Sequence, residues 1–269
     1  MIHPTAIIAD DAVIADDVLV GAYSIIGSQV SIEAGTHIAS HVIINGPTHI
    51  GCANRIFQFC SIGELPQDKQ CRNPTADNCS GRLLIGDNNT IREYCTINRG
   101  TVAGGGQTTI GNDNFFMAYV HIAHDCIIAN HTIFANAASL AGHVEVGDYA
   151  ILSGFVMVHQ FCRIGQHSYS GMGSGLAKDL PPYVLAAGLP AHTRGLNKIG
   201  LRRAGFDEAV IQKLHRAYID LLHPLSGYKA HIIAHRNIAK QCPEVAHLIE
   251  FIELSLSDGR RGLLPSIKG

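Results

Sequence analysis

A branched aliphatic residue recurs at every sixth position through much of this chain of 269 residues. The period runs unbroken over residues 8–62, returns over 85–97 and continues, with two phenylalanines, over 110–164. Small or medium-sized residues form a second series two positions earlier. This period fits neither an α-helix nor one continuing strand, whereas it fits short strands joined by sharp corners. The sequence therefore predicts a hexapeptide solenoid in which each coil covers the core of its neighbour.

Two long interruptions of the period indicate loops that leave the solenoid. They span about residues 64–84 and about 98–109. Three hexapeptides complete one triangular coil of about 18 residues, and successive coils stack at about 4.8 Å. Both interruptions are longer than a corner between two such strands can hold, so we expect them to protrude.

The spacing of the apolar residues changes towards the C-terminus. The period ends near the stretch "KDLPPYVLAAGLP", whereas apolar residues follow helical spacing from about Asp207 and over 227–241 and 243–257. We therefore predict a mainly β protein with an α C-terminal cap. Residues 1–190 form a parallel β-helix with the two loop insertions, and residues 191–269 form a helical domain.

Composition and charge argue against several classes of protein. The formal net charge is −2 and charged residues make up 16%, so the chain lacks the basic field that nucleic acid requires. No apolar stretch approaches the roughly 20 residues that cross a bilayer, and the start lacks the pattern of a signal peptide. We expect a cytoplasmic protein with no membrane span, whose eight cysteines stay reduced. Four of them occupy the small-residue series and are interpreted as core thiols: Cys60, Cys95, Cys126 and Cys162.

The stretch "HIAHDC", residues 121–126, places two histidines and an aspartate on the outside of the predicted solenoid. With about 18 residues per coil, Gly142 lies directly above His124. In a chain with 16 histidines, this region can hold solvated side chains, ligands of a metal shared between subunits, or an acid–base site. We favour the acid–base site, because Asp125 can orient an imidazole and Gly142 offers an N–H that no side chain screens. Four histidines gather along this edge on successive coils: His121, His124, His143 and His159.

Several motifs on this scaffold resemble those of one enzyme family. In chain order they are "HPTAI", "SIGELPQD", "NRGTVAGGGQT", "HIAHDC", "LAGHV", "VHQFCRIG", "PPYV" and "RRAGF". The set resembles the acyl-carrier-protein–UDP-N-acetylglucosamine O-acyltransferases of lipid A biosynthesis, a family of hexapeptide-repeat acyltransferases, and it spans nearly the whole chain. The resemblance implies a left-handed parallel β-helix, an exception to the usual right-handed crossover. It also implies a homotrimer with active sites in the clefts between subunits.

The same resemblance implies a reaction and its participants. Members of this family move a (3R)-3-hydroxyacyl group from acyl carrier protein to the glucosamine 3-hydroxyl of UDP-N-acetylglucosamine, the first step of lipid A biosynthesis. The donor arrives on the carrier's phosphopantetheine, and no separate cofactor or metal is implied. By position, His124 is the catalytic base, Asp125 orients its imidazole, and the Gly142 N–H stabilises the oxyanion. Further positions match substrate contacts: Gln67, Asp68, Lys69, His121, His143, His159, Gln160, Met172, Asn197 and Arg203.

The chain departs from the family pattern at several substrate positions. "QDKQC" stands where the family usually has "QDLKY", so the phosphate-binding lysine is Lys69, one place early, or is missing. Ile199 and Ala204 stand where a carboxylate and a second arginine are common. Asn98 replaces a histidine often seen before "RGT". The sequence therefore leaves the uridine and phosphate contacts open.

Two expectations concern the acyl donor. Met172 falls where some family members have glycine at the floor of the acyl pocket, and its longer side chain predicts a donor of about ten rather than fourteen carbons. The carrier protein is acidic, so we expect a basic patch near the cleft. The candidates for this patch are Arg163, Lys198, Arg202 and Arg203.

Three alternatives stay open on the sequence. A related enzyme could acylate the amino group of a UDP 3-amino sugar. A zinc-dependent gamma-type carbonic anhydrase would use the histidines as metal ligands. A solenoid with a purely structural or binding role would leave Asp125 and the long loops without a purpose.

Overall fold

The computed structural model describes residues 1–71, 81–222 and 228–266, and strands of two to five residues dominate it. Each regular coil contributes one strand to each of three sheets, which form the faces of a triangular prism. The first sheet contains β1 (Ile7–Ile8), β4 (Ile25–Ile26), β7 (Ile43–Ile44), β10 (Ser61–Glu64), β13 (Thr96–Asn98), β16 (His121–Ile122), β19 (Ser139–Leu140), β22 (Met157–Val158) and β25 (Gly175–Leu176).

The other two faces follow the same order along the prism. The second sheet contains β2 (Val13–Ile14), β5 (Val30–Ile32), β8 (Thr48–Ile50), β11 (Arg82–Ile85), β14 (Gln107–Ile110), β17 (Ile127–Ile128), β20 (Glu145–Val146) and β23 (Arg163–Ile164). The third sheet contains β3 (Leu19–Val20), β6 (His37–Ile38), β9 (Arg55–Ile56), β12 (Thr90–Ile91), β15 (Phe115–Phe116), β18 (Ile133–Phe134), β21 (Ile151–Leu152), β24 (Tyr169–Ser170), β26 (Val184–Ala187) and β27 (His192–Leu196).

The pairing register explains the period of the sequence. In the regular coils a residue pairs with the residue 18 positions later, as Ile128 pairs with Val146. The second residue of most strands points into the prism and is buried, as Ile44 and Leu140 are. The four cysteines of the small-residue series are buried as well, as predicted. The coils wind in the left-handed sense, so the predicted left-handed parallel β-helix is confirmed.

The corners of the prism use an uncommon backbone conformation. At the corner between the first and second sheets, Asp125, His143 and Phe161 have φ of 60°, 61° and 65°. This left-handed region is costly for most side chains, and Asp and His adopt it more readily than most residues. The His143 and Phe161 rings stack with their centroids 4.5 Å apart. The corners thus make direct neighbours of side chains that lie one coil apart.

A ladder of buried asparagines lines another corner from the inside. Asn54 Oδ1 accepts a hydrogen bond from the Asn89 N–H, and Asn89 Oδ1 accepts one from the Asn114 N–H, both at 2.9 Å. The side-chain amides donate in turn to the carbonyl groups of Gly86 and Gly111. Each asparagine therefore satisfies backbone groups that a sharp corner would otherwise leave unpaired inside the prism.

Both predicted loops leave the solenoid, although strands extend into the predicted ranges. The first loop follows β10, contains a 3₁₀ turn at Lys69–Cys71 and ends at β11; residues 72–80 lie outside the described residues. The second loop joins β13 to β14 and spans residues 99–106. Residues 82–84 and 107–109, which the sequence assigned to loops, are strand because they pair with neighbouring coils.

A hairpin and helices follow the last coils. Strand β26 pairs in parallel with β24, and β27 then pairs with β26 in antiparallel fashion. The described helices are α1 (Lys198–Arg203), α2 (Glu208–Leu222), α3 (Tyr228–Ala239) and α4 (Pro243–Ser255). The sequence predicted α2, α3 and α4 but neither the hairpin nor α1. Among the described residues, no helix is long and apolar enough to cross a membrane.

Removal of one amide from the asparagine ladder should destabilise the β-helix. In Asn89→Ala, the Asn114 N–H and the Gly111 carbonyl lose their partners inside the prism. Because a buried group without a partner costs about 1–3 kcal/mol, we expect the free energy of unfolding to fall by about 2–4 kcal/mol. Urea unfolding at matched protein concentration measures the loss, with the exposed Asn136→Ala as control. Equal midpoints for the two variants would contradict this role of the ladder.

Candidate active site

His124 and Asp125 lie side by side at the corner between β16 and β17. His124 Nδ1 is 2.7 Å from Asp125 Oδ2, and the Asp125 side chain is fully buried whereas 15% of the His124 side chain is exposed. An ionised carboxylate can only accept hydrogen bonds, so we assign the imidazole proton to Nδ1 and leave Nε2 as an acceptor. The pair therefore has the arrangement of an oriented general base.

Two donors from the second loop hold the Asp125 carboxylate. The Thr101 N–H donates to Oδ1 at 2.8 Å, and the Thr101 hydroxyl donates to Oδ2 at 2.7 Å. The Asp125 N–H donates in turn to Thr108 Oγ1 at 2.8 Å. Burial raises the pKa of Asp125, but the hydrogen bonds from His124 and Thr101 outweigh it and bring the pKa below its usual value. The carboxylate therefore stays ionised at neutral pH.

Gly142 lies against the His124 ring from the next coil. A Cβ built at Gly142 would lie 2.7 Å from His124 Cε1 and 2.9 Å from Nε2, so a larger residue would displace the imidazole. The Gly142 N–H is buried, yet it donates no hydrogen bond to any group in the described part of the chain. A backbone donor without a protein partner, in a residue packed on the His124 ring, is available to an oxygen that becomes negatively charged.

Two further imidazoles flank this pair. His143 Nε2 lies 3.7 Å from Asp125 Oδ2, and its ring meets the His124 ring edge-on. His121 lies on β16, and its Nδ1 is 2.7 Å from Thr96 Oγ1. Burial lowers the pKa of both His121 and His143, in the second case against the attraction of Asp125. Both rings are therefore neutral at pH 7 and can bind a ligand through hydrogen bonds.

The first loop approaches the same corner. The charge of Asp68 raises the pKa of His143 in opposition to burial, so the loop lies within electrostatic reach of this imidazole. The side chains of Gln67 and Lys69 are exposed. The Asn98 side chain donates to a backbone carbonyl at the base of the loop at 2.8 Å, which ties the loop to β13. These contacts bring the predicted loop residues towards the histidine cluster.

The corner continues towards the C-terminal end with exposed residues. His159 and Gln160 lie two coils beyond His124, and His159 Nδ1 is 3.2 Å from the Gln160 carbonyl oxygen. Met172 precedes β25, the third strand beyond β16 in the first sheet, which is about 14 Å along the prism at the ordinary strand spacing. Met172 is 78% exposed. All three residues are therefore exposed in the single chain, His159 and Gln160 at the corner between the first and second sheets and Met172 at the corner between the third and first sheets.

Asn197 and Arg203 lie apart from His124 within one chain. Both line a pocket of about 550 Å³ on the third sheet. Asn197 caps α1 by accepting a hydrogen bond from the Gly200 N–H, and its amide donates to the His167 carbonyl. The two nearby departures from the family pattern line the same pocket: Ile199 and Ala204.

One group of metal-ligand side chains occurs in the described part of the chain. The ligand atoms of His124, Asp125 and His143 lie within 4.8 Å of one another. Asp125 already accepts three hydrogen bonds of ordinary length, which satisfy its charge, and the His124 Nδ1 proton takes part in one of them. The geometry therefore favours an acid–base pair over a zinc site.

The sequence did not predict the residues that hold the carboxylate. Thr101 and Gly104 belong to the second loop, which we expected only to protrude. Instead, the loop folds back over Asp125, and a Cβ at Gly104 would overlap the carboxylate. The length of the interruption beside the histidine edge was the available signal, because long loops often carry functional residues.

Two family models match the chain. The model of the bacterial transferase hexapeptide (six repeats) matches residues 11–46 and 107–142. The model described as UDP N-acetylglucosamine O-acyltransferase, domain 2, matches residues 179–264. Together they cover parts of the β-helix and the C-terminal helices.

Whole-length relatives agree with these models. The acyl-[acyl-carrier-protein]–UDP-N-acetylglucosamine O-acyltransferase of Thiobacillus denitrificans is 49% identical over 266 residues, which cover 98% of this chain and 98% of the relative. The protein of the same name from Stutzerimonas stutzeri is 50% identical over 256 residues, covering 95% of this chain and 97% of the relative. The crystal structure of UDP-N-acetylglucosamine O-acyltransferase from Moraxella catarrhalis is 42% identical with a TM-score of 0.91, covering 98% of this chain and 99% of the other. The chain therefore belongs to the acyl-[acyl-carrier-protein]–UDP-N-acetylglucosamine O-acyltransferase family.

Proposed function

We propose that this protein transfers a (3R)-3-hydroxyacyl group from acyl carrier protein to the glucosamine 3-hydroxyl of UDP-N-acetylglucosamine, the first step of lipid A biosynthesis. The names of the relatives support this donor and this acceptor. The observation that carries the mechanism is the hydrogen bond between His124 and Asp125, together with the packing of Gly142 on the His124 ring. The Gly142 N–H has no hydrogen-bond partner among the described residues. An oriented base and a fixed donor for negative charge are the two elements that acyl transfer requires.

In this mechanism His124 acts first as a base. Its Nε2 accepts the proton of the sugar 3-hydroxyl while the hydroxyl oxygen attacks the thioester carbonyl carbon. The carbonyl oxygen becomes an oxyanion, which accepts a hydrogen bond from the Gly142 N–H. The carbon–sulfur bond then breaks, the ester remains, and the imidazolium returns the proton to the leaving thiolate. Throughout the reaction Asp125 accepts the hydrogen bond from the Nδ1–H of His124, and its negative charge stabilises the imidazolium.

The nucleotide sugar is proposed to bind along the histidine corner and the first loop. Neutral His121 and His143 offer hydrogen bonds without bringing a second positive charge beside the base. Gln67 and Asp68 extend from the first loop towards this corner. Lys69 is the cation that residues 65–71 of the loop offer, and we assign it the phosphate contact.

The placement of the remaining substrate residues supports a homotrimer. His124 lies between the first and second sheets, whereas Asn197 and Arg203 line a pocket on the third sheet. One chain therefore presents the first group at a corner of the prism and the second group on a separate face. A neighbouring subunit whose third-sheet pocket faces the His124 corner would bring both groups to one nucleotide sugar.

Acyl carrier protein is proposed as the macromolecular partner. Two of the four basic candidates, Arg163 and Arg202, already pair with glutamates at 3.0 Å. Lys198 and Arg203 form no salt bridge with any residue that the structure describes. These two cations are therefore better placed to attract an acidic carrier.

We place the reaction in the cytoplasm, without a metal or a separate cofactor. The seven cysteines that the structure describes are free thiols, which accords with a reducing compartment. The O-acyltransferase names of the relatives argue against the amide-forming alternative. The same names argue against the zinc-dependent alternative.

Loss of the base should abolish most of the activity. We expect His124→Ala to lower kcat by about 10²–10⁴-fold, because a positioned general base contributes a factor of this size. Asp125→Asn should also lower kcat, since the neutral amide no longer stabilises the imidazolium. A transfer assay with radiolabelled UDP-N-acetylglucosamine and 3-hydroxyacyl carrier protein measures both. His49→Ala, an exposed histidine on the second sheet, is the control. Full transfer by His124→Ala would refute the assignment of the base.

The side chain of Met172 should set the length of the acyl donor. In the parent protein we expect faster turnover of a donor of about ten carbons than of fourteen, and in Met172→Gly we expect the preference to move towards the longer donor. The ratio of kcat/KM for the two donors is the measurement, and it corrects internally for any loss of folded enzyme. An unchanged ratio in the variant would show that Met172 does not limit the chain.

A further inference from the structure

We propose that Thr101 is a positioning residue for the acyl-transfer reaction, which holds Asp125 and through it fixes the tautomer and direction of the His124 imidazole. The inference rests on the proposed function and adds a third member to the pair described above. Thr101, Asp125 and His124 form one continuous chain of hydrogen bonds, with 2.7 Å from the Thr101 hydroxyl to Asp125 Oδ2 and 2.7 Å from the same oxygen to His124 Nδ1. Thr101 is a buried member of the second loop, only 6% exposed, so it acts through Asp125 rather than on substrate.

The direction of the Thr101 hydroxyl is fixed by its surroundings. Its oxygen accepts a hydrogen bond from the Gly104 N–H at 2.9 Å, which occupies one lone pair and leaves the hydroxyl proton for Asp125. The Gly106 N–H donates to the Thr101 carbonyl at 2.8 Å and closes the loop on the same residue. Residues 101–106 therefore form a small closed turn whose only side chain directed at the carboxylate is that of Thr101.

Asp125 is held at both of its oxygens by one residue. The Thr101 N–H binds Oδ1 while its hydroxyl binds Oδ2, so the carboxylate cannot rotate without breaking a charge-assisted hydrogen bond. Gly104 packs so closely on the carboxylate that a Cβ there would overlap it. The second loop thus fixes the orientation in which Asp125 Oδ2 faces His124. Partners of this outer kind orient the catalytic group in many sites.

Few other groups could replace this restraint. The titratable groups near the Asp125–His124 pair are His121 on the same coil, His143 on the next coil, the buried thiol of Cys126 and, beyond His143, Asp68 of the first loop. Burial raises the pKa of the Cys126 thiol to about 12, so it stays neutral. His143 Nε2 lies at 3.7 Å from the carboxylate, which is too far for a hydrogen bond. Loss of the Thr101 hydroxyl would therefore leave Asp125 Oδ2 with His124 as its hydrogen-bond partner.

The test compares Thr101→Val with Thr101→Ser. Valine keeps the shape and the backbone N–H of Thr101 but removes the hydroxyl. We expect kcat to fall by about 10–100-fold, which is the range for one hydrogen bond to a charged group. KM for UDP-N-acetylglucosamine should change less than about twofold, because Thr101 does not contact substrate. Because the hydroxyl lowers the pKa of Asp125, its loss raises that pKa. The acidic limb of the kcat/KM profile reports the hydrogen-bonded carboxylate–imidazole pair as a unit, so we expect it to move to higher pH. Serine restores the donor, so Thr101→Ser should keep the parent profile.

A second measurement needs no substrate. The protein is labelled with nitrogen-15 histidine and used in the oligomeric state in which it purifies. Its nitrogen-15 NMR spectra report which nitrogen of His124 carries the proton. We expect the Nδ1–H form in the parent and in Thr101→Ser, and a mixture of tautomers in Thr101→Val. The parent protein could transfer no acyl group while Thr101→Val still shows the mixture of tautomers. That result would refute the proposed function but support the positioning of His124 by Thr101.

Two results would overturn the inference. One is parent-like kcat and pH profile in Thr101→Val. The other is an equal loss of activity in the valine and serine variants with the His124 tautomer unchanged, because that pattern indicates loop packing rather than the hydroxyl. If Thr101→Val does not fold, Gly104→Ala provides a second test, since its Cβ would displace the carboxylate from the two donors of Thr101. Parent-like kinetics and tautomer in a folded Gly104→Ala would equally contradict the proposal.

Discussion

The parallel register between coils is the constraint on which the rest of this structure depends. Each regular strand supplies only two or three residues, so one coil alone could neither bury its aliphatic side chains nor satisfy its backbone. Stacking at a fixed offset of 18 residues solves both problems, as the pairing of Ile128 with Val146 illustrates. The same offset carries Gly142 onto the ring of His124. The contact that defines the candidate site is therefore a by-product of the rule that forms the core.

The two loops obey no such offset, and this explains which parts of the site the sequence could predict. Ser61 pairs with Thr96 and Thr96 pairs with His121, so these coils contain 35 and 25 residues instead of 18. The added residues leave the stack, and their path depends on contacts that no period encodes. The cluster around His124 was predictable because its members lie one regular coil apart. Thr101 was not predictable, since its position over Asp125 depends on how the second loop folds back.

The C-terminal part shows the same division between periodic and irregular features. Helices α2, α3 and α4 are long enough to display helical spacing, and the sequence predicted them. Helix α1 has six residues, fewer than two turns, which is too short for a pattern to emerge. Its cap is a local contact, the Gly200 N–H to the Asn197 side chain, and this same asparagine lines the third-sheet pocket. Asn197 thus both caps a helix and occupies a candidate binding position. The period of the sequence cannot identify such a residue.

Hydrogen bonding, rather than burial alone, decides the direction of the pKa shift at the two buried aspartates that the structure describes. Asp125 and Asp179 are both buried, and burial by itself raises the pKa of each. At Asp179 burial prevails over the bond from the Arg163 N–H, and the pKa lies above its usual value. At Asp125 the donors of Thr101 and His124 reverse the shift. A carboxylate that must remain charged beside a histidine therefore needs the second loop as well as the corner.

The solenoid also places the proposed base and the expected determinant of donor length on different coils. The base lies on one coil, and the exposed Met172 lies three strands further along the first sheet. Each strand step adds about 4.8 Å, so a side chain on a given coil limits an extended ligand at a distance fixed by the backbone. We expect a substitution at such a position to change the length that fits without moving His124, because the intervening strands remain paired. One scaffold can therefore keep a single acyl-transfer geometry while side chains on later coils determine which donor it accepts.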